Sequence, residues 1–93
     1  MSHAPTFDDY RAQALAEGFD EVLERNWPPN AALDSHTHPF ALKARMVQGA
    51  MWLSVGNETQ ELRPGDEFTL ERDILHAERY GPEGATYWVA RRN

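Results

Sequence analysis

Turn-forming residues divide most of this chain into short segments. From Phe19 onward, runs of apolar and polar residues alternate with breaks at Pro28-Pro29-Asn30, Pro39, Gly49, Gly56-Asn57, Pro64-Gly65-Asp66 and 81–84. Short segments separated by regularly spaced turn signals are typical of an all-β sandwich or barrel. A Gly-Asn pair between two such segments is typical of a two-residue hairpin turn. The sequence therefore predicts an all-β domain over residues 19–93.

The first eighteen residues have a helical pattern instead. Thr6 with Asp9 three positions later fits an N-terminal cap, and Gly18 fits the position after the last helical turn. The predicted apolar stripe consists of Phe7, Tyr10 and Leu15, with Ala14 beside it. A single helix cannot form a domain, so we expect residues 1–18 to pack on the barrel.

Size and composition restrict the class of protein. A chain of 93 residues, 41% hydrophobic and 26% charged, matches one globular domain. Its apolar runs are too short for a transmembrane helix, and its N-terminus lacks a signal-peptide pattern. Without cysteine, disulfides and thiolate chemistry are excluded. We expect a cytoplasmic protein that does not bind membranes.

The charge balance argues against nucleic acid as a partner. The formal net charge is −6, whereas binding to phosphates requires a clustered basic surface. The pair Arg91-Arg92 is too small a cluster to provide one.

Large side chains occupy both faces of two predicted strands. Trp52 lies opposite Met51 and Leu53, and Trp88 lies opposite its neighbour Tyr87, because successive strand residues point to opposite faces. Bulky outer faces often pack on a second sheet or on another subunit. This predicts a homodimer, or else an N-terminal helix that covers one of these faces.

Two histidines lie one residue apart in the segment DSHTHPF. On an extended segment His36 and His38 would point to the same side. Imidazole is a good ligand for zinc, iron, nickel and copper. The pair alone is weak support for a metal site, since two neighbouring polar side chains also occur by chance.

A third histidine and its spacing resemble the two motifs of the cupin superfamily. His38 is followed by three residues, one further position, six residues and Gly49, as in the first motif. The Pro-Gly-Asp segment at 64–66 precedes His76 with the spacing of the second motif. The resemblance implies a double-stranded β-helix (jelly-roll) barrel with His36, His38 and His76 as metal ligands inside it.

The sequence departs from the cupin pattern at the carboxylate ligand. The glutamate position of the first motif holds Leu42, or Lys43 if the spacing is one residue longer, and Glu71 and Asp73 replace a proline and a glycine. Tyr80 replaces the asparagine that often ends the second motif. A three-histidine site without this glutamate would favour Zn, Ni, Fe or Cu over Mn.

Glu78 is the candidate for the missing carboxylate. It lies two residues after His76 and would share its face in a regular strand. It could act as a ligand, a general base or a partner of a ligand, or form a salt bridge with Arg45 or Arg79. Asp34, two residues before His36, could orient an imidazole or cap a turn.

Other conspicuous residues have simpler interpretations. Met46 and Met51 are expected in the core. Lys43, the only lysine, should face away from the barrel interior if Leu42 faces into it. His3 is expected to be solvent-exposed near the terminus.

Three functions remain open from the sequence. The first is a metal-dependent cupin that acts on a small molecule, and the second is a non-enzymatic sensor that binds a small ligand. The third is a purely structural barrel whose histidines are satisfied by hydrogen bonds.

Overall fold

The computed structural model describes residues 5–93, which form one helix and six strands. The elements are α1 (Phe7–Ala16), β1 (Glu21–Trp27), β2 (Ala32–His36), β3 (Ala41–Val55), β4 (Glu58–Leu62), β5 (Glu67–Leu70) and β6 (His76–Arg92). The prediction of an all-β chain with a short N-terminal helix is confirmed. The predicted solvent exposure of His3 lies outside the described residues.

Strand β6 is the centre of the sheet. It pairs antiparallel with β1, β2 and β3, and β3 in turn pairs with β4 and β5. The two long strands β3 and β6 remain paired from Ala41 opposite Arg92 to Ser54 opposite Ala77. Strand β6 thus extends along the sheet, with His76 at one end and Arg92 at the other.

The expected turns at Gly49 and at 81–84 are wrong, because both segments are bends inside continuous strands. Gly49 has φ 76° and Gly84 has φ 74°, and the β3–β6 register shifts beside Gly49. A Cβ atom on Gly49 would lie 2.0 Å from the Gly84 carbonyl oxygen. Glycine here allows the two strands to bend together at close approach. The hairpin at Gly56-Asn57 is confirmed.

The core lies inside the barrel, between the alternate residues of β3 and the facing residues of β6. Met46 and Met51 are fully buried, as predicted, and so are Leu62 and Tyr80. Leu42 is also buried and belongs to this cluster. Methionine fills irregular space well, which suits the bend of β3.

Helix α1 covers the outer face of the sheet at Trp88. The predicted cap is present as a reciprocal capping box between Thr6 and Asp9. Tyr10 and Ala14 are buried against Trp88. Leu15, predicted in the apolar stripe, is 37% exposed instead, because its position on the helix points away from the sheet.

A cluster around Lys43 fastens the helix to the barrel. The Lys43 ammonium lies 2.6 Å from a Glu17 carboxylate oxygen and over the rings of Tyr10 and Phe19. The Tyr10 hydroxyl donates to the Lys43 carbonyl oxygen at 3.2 Å. Lys43 therefore faces away from the barrel interior, as predicted, and contacts the helix.

Within residues 5–93, no helix has the length and apolar character needed to cross a membrane.

Candidate metal centre and ligand pocket

The three predicted histidines converge at one end of the barrel. His36 ends β2 and is the direct cross-strand partner of His76, the first residue of β6. His38 lies just beyond β2. One ring nitrogen of each histidine lies within 4.8 Å of the corresponding atoms of the other two. The structure thus brings together imidazoles from distant parts of the sequence.

Backbone carbonyls fix the tautomer of two of these rings. The His36 Nδ1 lies 2.7 Å from the carbonyl oxygen of Asp34, and the His76 Nδ1 lies 2.9 Å from that of Ile74. A carbonyl oxygen only accepts hydrogen bonds, so each Nδ1 carries the hydrogen and donates it. In the neutral ring, each Nε2 is then left with a lone pair, the arrangement seen in metal-ligating histidines.

Glu78 lies at the same place. One of its carboxylate oxygens, Oε2, lies 3.3 Å from the His36 Nε2 and 3.4 Å from the His76 Nε2. The other, Oε1, accepts a hydrogen bond from the buried Tyr80 hydroxyl. Glu78 is only 8% exposed. The groups nearest to its carboxylate are therefore the imidazoles of His36 and His76 and not Arg45 or Arg79.

This grouping fits a proton or a cation between its members. A carboxylate oxygen and an unprotonated imidazole nitrogen both accept hydrogen bonds, so their close approach without a proton or a cation would be repulsive. Ligand atoms bonded to one tetrahedral metal ion at about 2.0–2.2 Å lie roughly 3.3–3.6 Å apart. The distances from Glu78 to His36 and His76 fall in that range. The three histidines are therefore positioned to hold a metal ion, and Glu78 lies at ligand-to-ligand distance from two of them.

The surroundings of His38 favour its neutral form. Burial lowers its pKa, and the neighbouring imidazoles of His76 and His36 lower it further. Its ring lies parallel to that of Phe40, with 4.9 Å between the centroids. A neutral imidazole is the form that binds a metal.

Two buried tyrosines remain protonated beside this site. Burial raises the pKa of Tyr80, and the nearby Tyr87 and Glu78 contribute in the same direction. Burial also raises the pKa of Tyr87, with a contribution from Glu78. The ring of Trp27 stacks on Tyr80, 5.0 Å between centroids. The Tyr80 hydroxyl is therefore a fixed donor to Glu78.

A cavity of about 230 Å³ adjoins the histidines. Its polar wall includes His36, His38, Glu78, Arg25 and Arg91. Its apolar lining includes Trp27, Leu33, Phe40, Leu42 and Val89. Such a combination of apolar surface and a few convergent polar groups is typical of small-molecule sites.

Three aspects of the site were missed from the sequence. Arg25 and Arg91 line the cavity, and strand alternation from Val89 and Tyr87 would have placed Arg91 on that face. The hydrogen bond from Tyr80 to Glu78 was not predicted, because in the sequence Tyr80 only replaces the asparagine of the second cupin motif. At Asp34, the backbone carbonyl and not the carboxylate orients His36.

Comparison with known proteins supports the fold. The model of the AraC-like ligand binding domain family matches residues 18–91. No curated protein matches the chain. Among solved structures, an RmlC-like cupin from Shewanella frigidimarina is 17% identical, with a TM-score of 0.67, over 77% of this chain and 65% of that one.

Two further structures are similar to the chain. KdgF from Halomonas sp. is 20% identical, with a TM-score of 0.66, over 77% of this chain and 68% of that one. The polyketide cyclase RemF from Streptomyces resistomycificus is 24% identical, with a TM-score of 0.66, over 85% of this chain and 60% of that one. The chain spans less than two thirds of the length of several structures that it matches.

These likenesses establish the architecture. The jelly-roll barrel implied by the histidine and Pro-Gly-Asp motifs is confirmed by the similarity to cupin structures. The family match extends from the end of the helix to the last residues of β6. This chain belongs to the AraC-like ligand binding domain family, within the cupin superfamily.

Proposed function

We propose that this protein holds a divalent transition metal through His36, His38 and His76 and binds a small molecule beside it. The main support for this proposal is the direction of the Nε2 lone pairs of His36 and His76. Carbonyl hydrogen bonds at Nδ1 of His36 and His76 leave both Nε2 atoms aimed at the Glu78 carboxylate.

Glu78 supplies the carboxylate in place of the glutamate that Leu42 replaces. Its Oε2 faces His36 and His76, while Tyr80 holds Oε1. A ligand set of imidazoles and one carboxylate suits zinc, nickel, iron or copper. The bound ion would act as a Lewis acid with a position open to an oxygen of the small molecule.

The lowered pKa of His38 supports metal binding. Its lowered pKa means that protons compete less with the metal than they would at an ordinary histidine. The adjoining cavity provides a place for a ligand next to the ion.

Metal analysis tests this proposal directly. Untagged protein is purified, its metal content is measured, and Co²⁺ is added to metal-free protein while the visible spectrum is recorded. We expect about one ion per chain and a cobalt spectrum with nitrogen and oxygen ligands. Absence of bound metal, together with no change in melting temperature on adding Zn, Ni or Fe, would overturn the proposal.

Histidine variants locate the metal. His76→Ala should abolish stoichiometric binding, because it removes the most buried imidazole and a partner of Glu78. His3→Ala, which removes one imidazole outside the three, is the matched control and should bind cobalt as the natural protein does.

A non-enzymatic sensor is the second candidate function. The family match favours it, because the family is described by ligand binding and not by a reaction. A turnover screen over small thiols, diketones, sugars and amino acids separates the two. Sustained turnover of any compound would exclude a pure binding protein.

The homodimer, the cytoplasmic location and the absence of a nucleic-acid partner stay predictions. Light scattering of the purified protein measures the number of chains per particle.

A further inference from the structure

We propose that the cavity beside the three histidines binds a small carboxylic acid, with Arg91 as the anchor of its carboxylate. This inference rests on the proposed function, because it places another oxygen of the same ligand at the metal. The proposed ligand is negatively charged, is small enough for this cavity, and contacts Arg91.

The charge of the cavity is opposite to that of the whole protein. The chain carries a formal net charge of −6, yet Arg25 and Arg91 line the cavity together with a single carboxylate, Glu78. A divalent ion at the histidines would make this space more positive still. Clefts lined by one sign of charge concentrate small ligands of the opposite sign.

Arg91 has donors available for a ligand. Among residues 5–93, its buried Nε has no hydrogen-bond partner. Its Nη1 lies 3.9 Å from a Glu21 carboxylate oxygen, which is beyond hydrogen-bond distance. Nε lies too deep for a ligand to reach, but a carboxylate in the cavity could accept hydrogen bonds from the terminal Nη groups of the guanidinium.

Aromatic rings hold both arginines in place. The guanidinium carbon of Arg91 lies 4.7 Å from the centre of the Phe40 ring, and that of Arg25 lies 5.2 Å from the Trp27 ring. Stacking on a ring fixes the plane of a guanidinium while leaving its edge open to an anion. Arg25 thus adds a second positive charge to the cavity.

The volume and lining define the rest of the ligand. About 230 Å³ is less than the roughly 300–1,000 Å³ of sites for drug-sized molecules. Leu33, Leu42 and Val89 provide apolar surface within it. A ligand that matches all three features has a carboxylate, a short apolar body and a further oxygen that can reach the metal.

Pairs of acids and their uncharged amides test this inference. Zinc-loaded protein is titrated by calorimetry with 4-hydroxyphenylacetate, 3-hydroxybenzoate and 3-hydroxy-3-methylbutanoate, and with the corresponding amides. We expect acids to bind about tenfold or more tightly than their amides, since hydrogen bonds between charged groups are the stronger ones. Acids that bind no better than their amides would overturn the inference.

Arginine variants separate Arg91 from the metal as the source of that preference. Arg91→Gln should abolish it, and Arg91→Lys should retain part of it, because lysine keeps the charge but lacks the planar fork. Arg63→Gln, at an exposed arginine paired with Glu61, should leave it unchanged. A carboxylate held by zinc alone would keep its advantage in Arg91→Gln, and that result would also overturn the inference.

The metal content of every sample distinguishes the two proposals. Natural protein that holds no metal counts against the proposed function. Natural protein that holds zinc but shows no acid preference counts against the carboxylate site alone.

Discussion

Tyr80 donates a hydrogen bond to one oxygen of Glu78, and the other oxygen of Glu78 faces the Nε2 atoms of His36 and His76. The tyrosine thus orients the carboxylate from the side away from the imidazoles. Both Tyr80 and Glu78 are buried. Such outer partners of ligand groups typically change metal affinity by 10- to 100-fold when they are removed.

Tyr80→Phe should weaken metal binding while the protein remains folded. We expect about a tenfold loss of zinc affinity, measured by competition with a coloured chelator. Tyr10→Phe is the matched control, since it also removes one hydroxyl that donates a hydrogen bond, but in the helix cluster. It should have unchanged zinc affinity, and equal losses in both variants would contradict a specific role of Tyr80.

Exchanging the carboxylate position tests whether Glu78 replaces the missing glutamate. Glu78→Gln should reduce zinc affinity, because the charged oxygen facing His36 and His76 is lost. Adding Leu42→Glu to Glu78→Gln should restore much of it, since Leu42 lines the same cavity. If the double variant binds no better than Glu78→Gln in the same competition assay, position 42 is not an equivalent site for the ligand.

Gly49→Ala should be strongly destabilising. Its Cβ would lie 2.0 Å from the Gly84 carbonyl oxygen, and its φ of 76° disfavours a side chain. We expect a loss of about 3 kcal/mol or more in the free energy of unfolding, measured by urea denaturation.

Gly56→Ala separates the clash from the backbone conformation. Gly56 has φ 60°, but no atom lies within 4 Å of a Cβ placed there. Its loss should be limited to about 1–2 kcal/mol for the left-handed conformation. If Gly49→Ala and Gly56→Ala lose similar amounts of unfolding free energy, the close approach of β3 and β6 does not determine the cost of a side chain at Gly49.

The attachment of the helix should depend on pH through Glu17. The hydrogen bond from Lys43 is the main reason that the pKa of Glu17 lies below its ordinary value of 4.5. A lowered pKa means that the folded state favours the carboxylate, so its contribution is present above pH 4.5 and lost as the pH falls further. Glu17→Gln should therefore be less stable than the natural protein at pH 7, with a difference that shrinks toward pH 3.

Denaturation midpoints across this pH range measure the effect, which is small because Glu17 is exposed. Glu83→Gln, at an exposed residue of β6, is the control and should show no such convergence with the natural protein. A difference between Glu17→Gln and the natural protein that persists unchanged at pH 3 would contradict the role of the ion pair.

Features set by neighbouring residues were predictable from the sequence. The Thr6–Asp9 cap, the Gly56 hairpin and the shared direction of His36 and His38 each depend on spacings of a few residues. The motif spacing placed His76 with them, which local patterns alone do not. Alternation along a strand also placed Glu78 on the face of His76.

Features set by cross-strand register were not predictable in the same way. Gly49 reads as a turn until its contact with Gly84, in another strand, makes it a bend. The orientation of Glu78 depends on Tyr80, whose role appears only once its depth in the barrel is known. In the sequence, Arg91 is noticeable only as a member of the small basic pair Arg91-Arg92. Strand pairing turns its side chain toward the cavity.

The pairing of His36 with His76 affects how the protein unfolds. These partners are about 40 residues apart in the sequence, and β3, β4 and β5 all lie between them. An ion shared by the two rings would close that stretch into a loop, as a crosslink does. Bound metal should therefore slow the unfolding of the strands between these two histidines. A chelator that removes the metal would then increase the unfolding rate of the protein.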